Sequence, residues 1–129
     1  MIDEQGGPSV RALVVDDETD VRKLIGLMLT RLGHQVREVD NGEKALEVLR
    51  GDPRPDVVLL DWSMPGMDGL TTLKAIRTED ALSTLRVMMV TGMNDMDDVS
   101  AALDAGADEY LMKPISARAL KEKLAILGL

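Results

Sequence analysis

Five side chains in this sequence sit where reactive groups need to be: Asp16, Asp17, Asp61, Thr91 and Lys113. Each follows, directly or closely, a short apolar run: Val10 to Val15, Val57 to Leu60, Arg86 to Val90 and Glu109 to Met112. A carboxylate placed immediately after four apolar residues is costly for an ordinary turn position, so its place needs a reason. Three carboxylates brought together repel one another and resist ionisation unless a cation joins them. The matching cation is hard, oxygen-seeking and divalent, which describes Mg²⁺. Such an ion bridges a carboxylate to a phosphoryl oxygen and offsets charge during phosphoryl transfer. Lys113 is a compact charge able to pair with a second phosphoryl oxygen, and the Thr91 hydroxyl can donate to a third. One carboxylate is then free to act as nucleophile, and an aspartyl phosphate is a coherent product.

These groups meet only if the elements carrying them are parallel neighbours. Val21, Leu24, Ile25, Met28 and Leu32 recur at helical spacing after the first run, and Gly33 is placed to end that helix. Gln35 to Val39 alternates as a short strand, and Asn41-Gly42 opens a helix carrying Ala45, Leu46 and Leu49. The stretch Gly51-Asp52-Pro53-Arg54-Pro55 reads as a loop. After Asp61, Met64-Pro65-Gly66-Met67-Asp68-Gly69 turns the chain into a helix with Leu70, Leu73 and Ile76 on one face. Asn94 or Asp95 is expected to cap the next helix, with Val99, Ala102, Leu103 and Gly106 inward. Ser116 caps the last, whose inner face is Leu120, Leu124 and Leu127. Five strands alternate with five helices, and strands apolar on both faces belong in a parallel sheet covered on both sides. The expected class is α/β, a doubly wound three-layer sandwich. Ligands of such sheets bind beyond the carboxyl ends of the strands, which is where the five residues fall.

Composition narrows the classes further. A chain of 129 residues fits one domain, read as residues 10–129 behind a mobile acidic, glycine-rich leader at 1–9. Apolar residues form 45% of it, with Trp62 and Tyr110 the only aromatics, so the core is aliphatic and methionine-rich. The formal charge of −8 argues against nucleic-acid binding and suits cations or basic partners. There is no cysteine, which excludes disulfides and thiolate chemistry and accords with a reducing cytoplasm. No apolar run is long enough to span a bilayer.

Taken in order, Asp16-Asp17, Asp61 with Met64-Pro65-Gly66-Met67-Asp68-Gly69, Thr91-Gly92 and Lys113-Pro114 resemble a response-regulator receiver domain. The likeness runs from about Val10 to Leu127, and the Asp61-Trp62-Ser63-Met64-Pro65 wording is similar to chemotaxis-type stand-alone regulators. The resemblance implies a flavodoxin-like strand order 2-1-3-4-5 and phosphorylation of Asp61 by the phosphohistidine of a histidine kinase or histidine phosphotransfer protein. It implies Mg²⁺ held by Asp17 and Asp61, by Asp16 mostly through water, and by the backbone carbonyl of Ser63. Thr91 would follow the phosphoryl group, Tyr110 would swing inward behind it, and Lys113 would pair first with Asp61 and then with the phosphoryl group. Lys113–Pro114 is expected to be cis. Ser63 and Met93 flank the path by which water would attack the phosphoryl group, and so set its lifetime. Ser63, Gly92 and Ile115 depart from the residues common at those places. The expected output is the face of the fourth helix, fifth strand and fifth helix, engaging the flagellar motor switch or another phosphorelay protein. The chain would catalyse only its own phosphotransfer and slow dephosphorylation.

Plainer readings compete with these. Asp16-Asp17-Glu18 would serve as an acidic helix-capping loop, Thr91 as a β-branched strand end, and Tyr110 as a half-buried residue of an edge strand. Trp62 is expected as a partly exposed neighbour without a catalytic role, and Met88 and Met89 as core filler. His34, the single histidine, is expected in an exposed turn, and Glu18, Asp95, Asp97, Asp98 and Asp104 as solvated surface. A Mg²⁺-dependent aspartyl-phosphate phosphatase would place a second Asp where Ser63 stands. A flavin carrier would lack its phosphate loop, since Asp16-Asp17-Glu18 repels phosphate unaided. A constitutive, non-phosphorylated receiver would not need all these ligands.

Overall fold

A computed structural model describes residues 9–92 and 96–129, of residues 96 and 97 the backbone only. The expected leader at 1–9 therefore lies outside the described residues except for Ser9, whose hydroxyl donates to the Gly33 carbonyl at 3.0 Å. The elements are β1 (Arg11–Val15), α1 (Thr19–Arg31), β2 (Gln35–Val39), α2 (Gly42–Arg50), β3 (Val57–Asp61), α3 (Gly69–Thr78), β4 (Arg86–Thr91), α4 (Met96–Asp104), β5 (Glu109–Met112) and α5 (Ala117–Ile126). A short 3-10 turn, Asp80–Leu82, links α3 to β4 and was not legible as periodicity. All strand pairings are parallel, in the order β2-β1-β3-β4-β5.

Alternation along the inner strands divides the core in two. Leu13, Val15, Val58, Leu60, Val87 and Met89 face α2, α3 and α4. Ala12, Val14, Val57, Leu59, Met88 and Val90 face α1 and α5, where Ile25, Leu29, Leu120 and Leu124 cover them. Because β1, β3 and β4 are apolar on both faces, they are committed to the middle of the sheet, while the mixed β2 and β5 take its edges. Met88 and Met89 are fully buried core residues, as expected.

Local signals behave as their chemistry dictates. Asn41, Asp68 and Ser116 cap α2, α3 and α5, each accepting a backbone N–H from three residues on. Gly33 ends the first helical stretch at φ +93°, a conformation that a Cβ disfavours. The expected caps Asn94 and Asp95 lie outside the described residues. Two expectations about faces fail. Leu24 and Leu103 are 48% and 46% exposed, because each helix rests on the sheet along a stripe narrower than its full apolar arc. Gly106 is not on the α4 face but in the turn beyond it, at φ +106°. His34 is also not an exposed turn residue; it is half-buried, and its Nδ1 accepts the Val10 N–H at 3.2 Å.

Candidate functional site

The parallel register brings the ends of β1, β3, β4 and β5 to one edge of the sheet. Asp16 stands one residue past β1, Asp61 and Thr91 are the last residues of β3 and β4, and Lys113 follows β5. Asp16, Asp61 and Thr91 are buried, at 1%, 4% and 5% exposure, whereas Asp17 faces solvent. Carboxylate oxygens of Asp16, Asp17 and Asp61 all lie within 4.8 Å of one another. The Lys113 ammonium is 3.2 Å from Asp61 Oδ1, 3.2 Å from Asp16 Oδ2 and 3.9 Å from Glu18 Oε1. The Lys113–Pro114 peptide is cis, as expected.

One cation among three carboxylates leaves the pocket short of positive charge. Burial, then the neighbouring Asp16 charge, push the Asp61 carboxyl up to about 6 against the opposing pull of Lys113, and Asp17 adds to the rise. Burial would lower the Lys113 pKa, but the Asp61 and Asp16 carboxylates outweigh it and hold the ammonium above the ordinary lysine value. Asp16 Oδ1 accepts the Glu18 N–H at 2.8 Å, while the buried Oδ2 has the Lys113 ammonium at 3.2 Å, a cation it shares with Asp61. Three hard oxygen donors at this spacing, with one ammonium shared between two of them and one carboxyl reluctant to ionise, fit a divalent cation such as Mg²⁺. Asp16, Asp17 and Asp61 are the residues that would hold it.

The loop after β3 is built tightly against this edge. Gly69 N–H donates to the Trp62 carbonyl at 2.8 Å, and any Cβ at Gly69 would collide with the Asp61 carbonyl. Trp62 is half-buried beside Asp61, and Ser63 is exposed. Trp62, Ser63, Met64, Pro65 and Asp68 line an open hollow at the mouth of the pocket.

Behind Thr91, a narrow cavity is walled by Trp62, Met89, Thr91, Asp98, Val99, Ala102 and Tyr110. The half-buried Tyr110 is one of these walls, and its ring centroid lies 4.7 Å from the Lys123 ammonium, which is itself paired with Glu109 at 2.9 Å. Met93, expected beside the pocket, lies outside the described residues. Glu18 is exposed as expected, yet its carboxylate reaches the rim of the pocket. Arg22 was not singled out from the sequence. Its guanidinium donates to the Asp16 carbonyl at 2.9 Å, and the one available signal was a cation one helical turn into α1.

Comparison with known proteins agrees with this geometry. Residues 12–125 match the response regulator receiver domain family. The chain is 39% identical over 116 residues to a chemotaxis protein CheY homolog of Campylobacter jejuni, covering 89% of each chain. It is 38% identical over 112 residues to the transcriptional regulatory protein AfsQ1 of Streptomyces coelicolor, covering 87% of this chain and 48% of that protein. The crystal structure of a putative response regulator from Chloroflexus aurantiacus superposes with a TM-score of 0.88 at 32% identity, over 95% of this chain and all of that one. The chain belongs to the response regulator receiver domain family, of the CheY-like kind found in two-component signalling. Among the described residues, no helix is long and apolar enough to cross a membrane.

Proposed function

We propose that Asp61 accepts a phosphoryl group from the phosphohistidine of a histidine kinase or histidine phosphotransfer protein, and that this switches a protein-binding surface. The observation that carries the reading is a buried Asp61 within 3.2 Å of Lys113 and within 4.8 Å of two further carboxylates. An Asp61 carboxylate oxygen attacks phosphorus; the oxygen–phosphorus bond forms as the donor's nitrogen–phosphorus bond breaks, and the departing imidazole takes a proton from water. Lys113 leaves Asp61 and pairs with a phosphoryl oxygen, while Thr91 donates to another. Asp16, Asp17 and Asp61, with the Ser63 carbonyl, would hold Mg²⁺, which when bound would supply charge neutralisation for the transfer.

Thr91 moving toward the phosphoryl group opens the cavity behind it, and the Tyr110 ring is positioned to fill that space. The ring's departure from Lys123 changes the face made by α4, β5 and α5, where the target binds. The names of several relatives favour chemotaxis as the setting, in which case the target would be the flagellar motor switch, and a phosphorelay is the alternative. The exchange takes place in the cytoplasm, where kinases are supplied with ATP. Ser63 and Met93 govern the slow loss of the phosphoryl group to water, and the chain turns over no separate substrate. A phosphatase reading is weakened by Ser63, since a hydroxyl there cannot replace a second carboxylic acid.

Trp62 lies beside Asp61 and reports on the pocket. Its fluorescence should change on adding Mg²⁺ and again on adding acetyl phosphate, and Asp61→Asn should lose the second change. A native chain that responds to neither, or an Asp61→Asn variant that responds like the native chain, overturns the reading. Steady hydrolysis of a generic phosphate monoester would favour the phosphatase.

A further inference from the structure

Asp16 is the most deeply buried member of the acidic cluster, and its backbone is tied down on both sides. Its N–H donates to the Val39 carbonyl at 3.2 Å, and its carbonyl accepts from Arg22 Nη1 at 2.9 Å. The same guanidinium donates through Nε to Glu38 Oε1 at 3.3 Å, and Lys23 Nζ lies 3.2 Å from that oxygen. Arg22 is 14% exposed and Glu38 25%, so this pair is largely withdrawn from water, unlike Lys23 at 64%. One planar fork therefore spans the end of β1 and the penultimate residue of β2, a geometry that lysine cannot reproduce with a single nitrogen. Asp16 Oδ1 is meanwhile committed to the Glu18 N–H, which leaves Oδ2 to the pocket, where the Lys113 ammonium lies 3.2 Å away.

We infer that Arg22, held by Glu38, is a positioning residue for the cation site. It fixes the Asp16 backbone, and with it the direction in which the Asp16 carboxylate enters the cluster. This inference rests on the receiver reading above, because it assigns Arg22 a role only if Asp16, Asp17 and Asp61 bind a divalent cation. Groups that orient a ligand from behind are commonly as important to metal affinity as the ligand's own neighbours.

The test is Mg²⁺ titration of the full chain by Trp62 fluorescence, alongside urea unfolding of the metal-free protein. Arg22→Met keeps the apolar stem and removes the fork; it should weaken Mg²⁺ binding about tenfold. Arg22→Lys should recover part of that loss. Glu38→Gln, which loosens the fork without touching Asp16, should weaken binding in the same direction. Combined with Arg22→Met it should add nothing further, because the two act as one unit. Amide exchange at Asp16 should quicken in both variants without Mg²⁺, which a change in overall stability alone would not confine to that position. If Arg22→Met does not fold, Glu38→Gln carries the test by affinity and exchange. Native binding that the variants leave within about twofold overturns the inference alone. A native chain that shows no Mg²⁺ response overturns it together with the receiver reading.

Discussion

The two edges of the sheet use the same kinds of side chain to opposite ends. At the carboxyl edge, Asp16, Asp61 and Lys113 are packed together with charge unbalanced, one ammonium serving two buried carboxylates at 3.2 Å each. At the amino edge, Arg77 and Asp108 are also half-buried and also paired, at 3.0 Å. There the polar groups find partners. Arg77 Nε donates to the Gly106 carbonyl at 2.9 Å, and Nη1 donates to the Leu82 and Ser83 carbonyls at 3.2 and 3.3 Å. Asp108 Oδ2 accepts Arg77 Nη2 and the Val87 N–H, while the Asp108 N–H returns to the Val87 carbonyl. Asp56 does the same for Arg11 at the start of β1, accepting its N–H at 2.8 Å and donating back at 2.7 Å. The amino edge does bury one oxygen without a hydrogen bond among the described residues, Glu79 Oε2, but the same carboxylate is paired with Arg50 at 2.7 Å, so its charges are matched. The carboxyl edge leaves a deficit of positive charge that a cation can relieve. Active sites tolerate such local cost where the rest of the fold supports it.

The largest effect should therefore come from breaking the satisfied edge. Arg77→Ala removes a fork that ties the end of α3, the turn before β4 and the turn before β5, and leaves Asp108 with only the Val87 N–H and the distant Arg86 among the partners described. It should destabilise the chain by roughly 3 kcal/mol in urea unfolding. Mg²⁺ affinity in the folded fraction should not change. A loss of stability below about 1 kcal/mol would show that this edge is no better satisfied than the other.

Breaking the deficient edge should have the opposite sign. Asp61→Asn should abolish the proposed phosphorylation, yet it removes a buried carboxylate whose ionisation is resisted, and should stabilise the metal-free chain by about 1–2 kcal/mol at pH 7.5. A destabilised Asp61→Asn protein would mean that the Lys113 ion pair outweighs burial and repulsion, and the contrast between the edges would collapse.

The dependence on pH sharpens the same point. Asp61 titrates near 6 when folded, above its ordinary carboxylate value. Its contribution to stability is full below the unfolded pKa and is lost as pH rises through 6. Between pH 5.5 and 7.5 the metal-free chain should lose about 1 kcal/mol from this group. Arg77→Ala should keep that slope and Asp61→Asn should lack it. Mg²⁺ affinity should run the other way, falling as pH drops below about 6, because the ion needs the carboxylate ionised.

The difference between the edges also explains what was legible in the sequence. Asp16, Asp61, Thr91 and Lys113 each end or follow an apolar strand, so periodicity alone placed them together, and the parallel sheet followed from the same runs. The amino-edge network left no comparable trace. Arg77 meets Gly106 and Asp108 at separations of 29 and 31 residues, in stretches without a pattern. Arg22 escaped notice for a related reason: its partner Glu38 lies on another element, and a cation in a helix's first turns looks like ordinary surface. Leu24 and Leu103 misled because helical spacing gives the apolar arc but not the width of its contact with the sheet. His34 misled because a turn residue can still accept a bond from the chain crossing over it.

The smallest predicted effects lie at the rims, where both edges carry a long, open ion pair. Lys113 and Glu18 are 3.9 Å apart with Glu18 64% exposed, and Arg86 and Asp108 are 3.8 Å apart with Arg86 50% exposed. Pairs so open to solvent gain little, because water and salt screen them and long side chains lose freedom in making them. Glu18→Gln and Arg86→Gln should each shift the urea midpoint by less than the equivalent of about 0.5 kcal/mol, and by less again in high salt. If the edges differ only in how their buried groups are satisfied, the two rim variants should behave alike. A clearly stabilising Glu18→Gln would show that the excess negative charge of the pocket extends to its exposed rim. The cation-deficient region would then comprise four carboxylates, with Glu18 competing with Asp16 and Asp61 for Lys113.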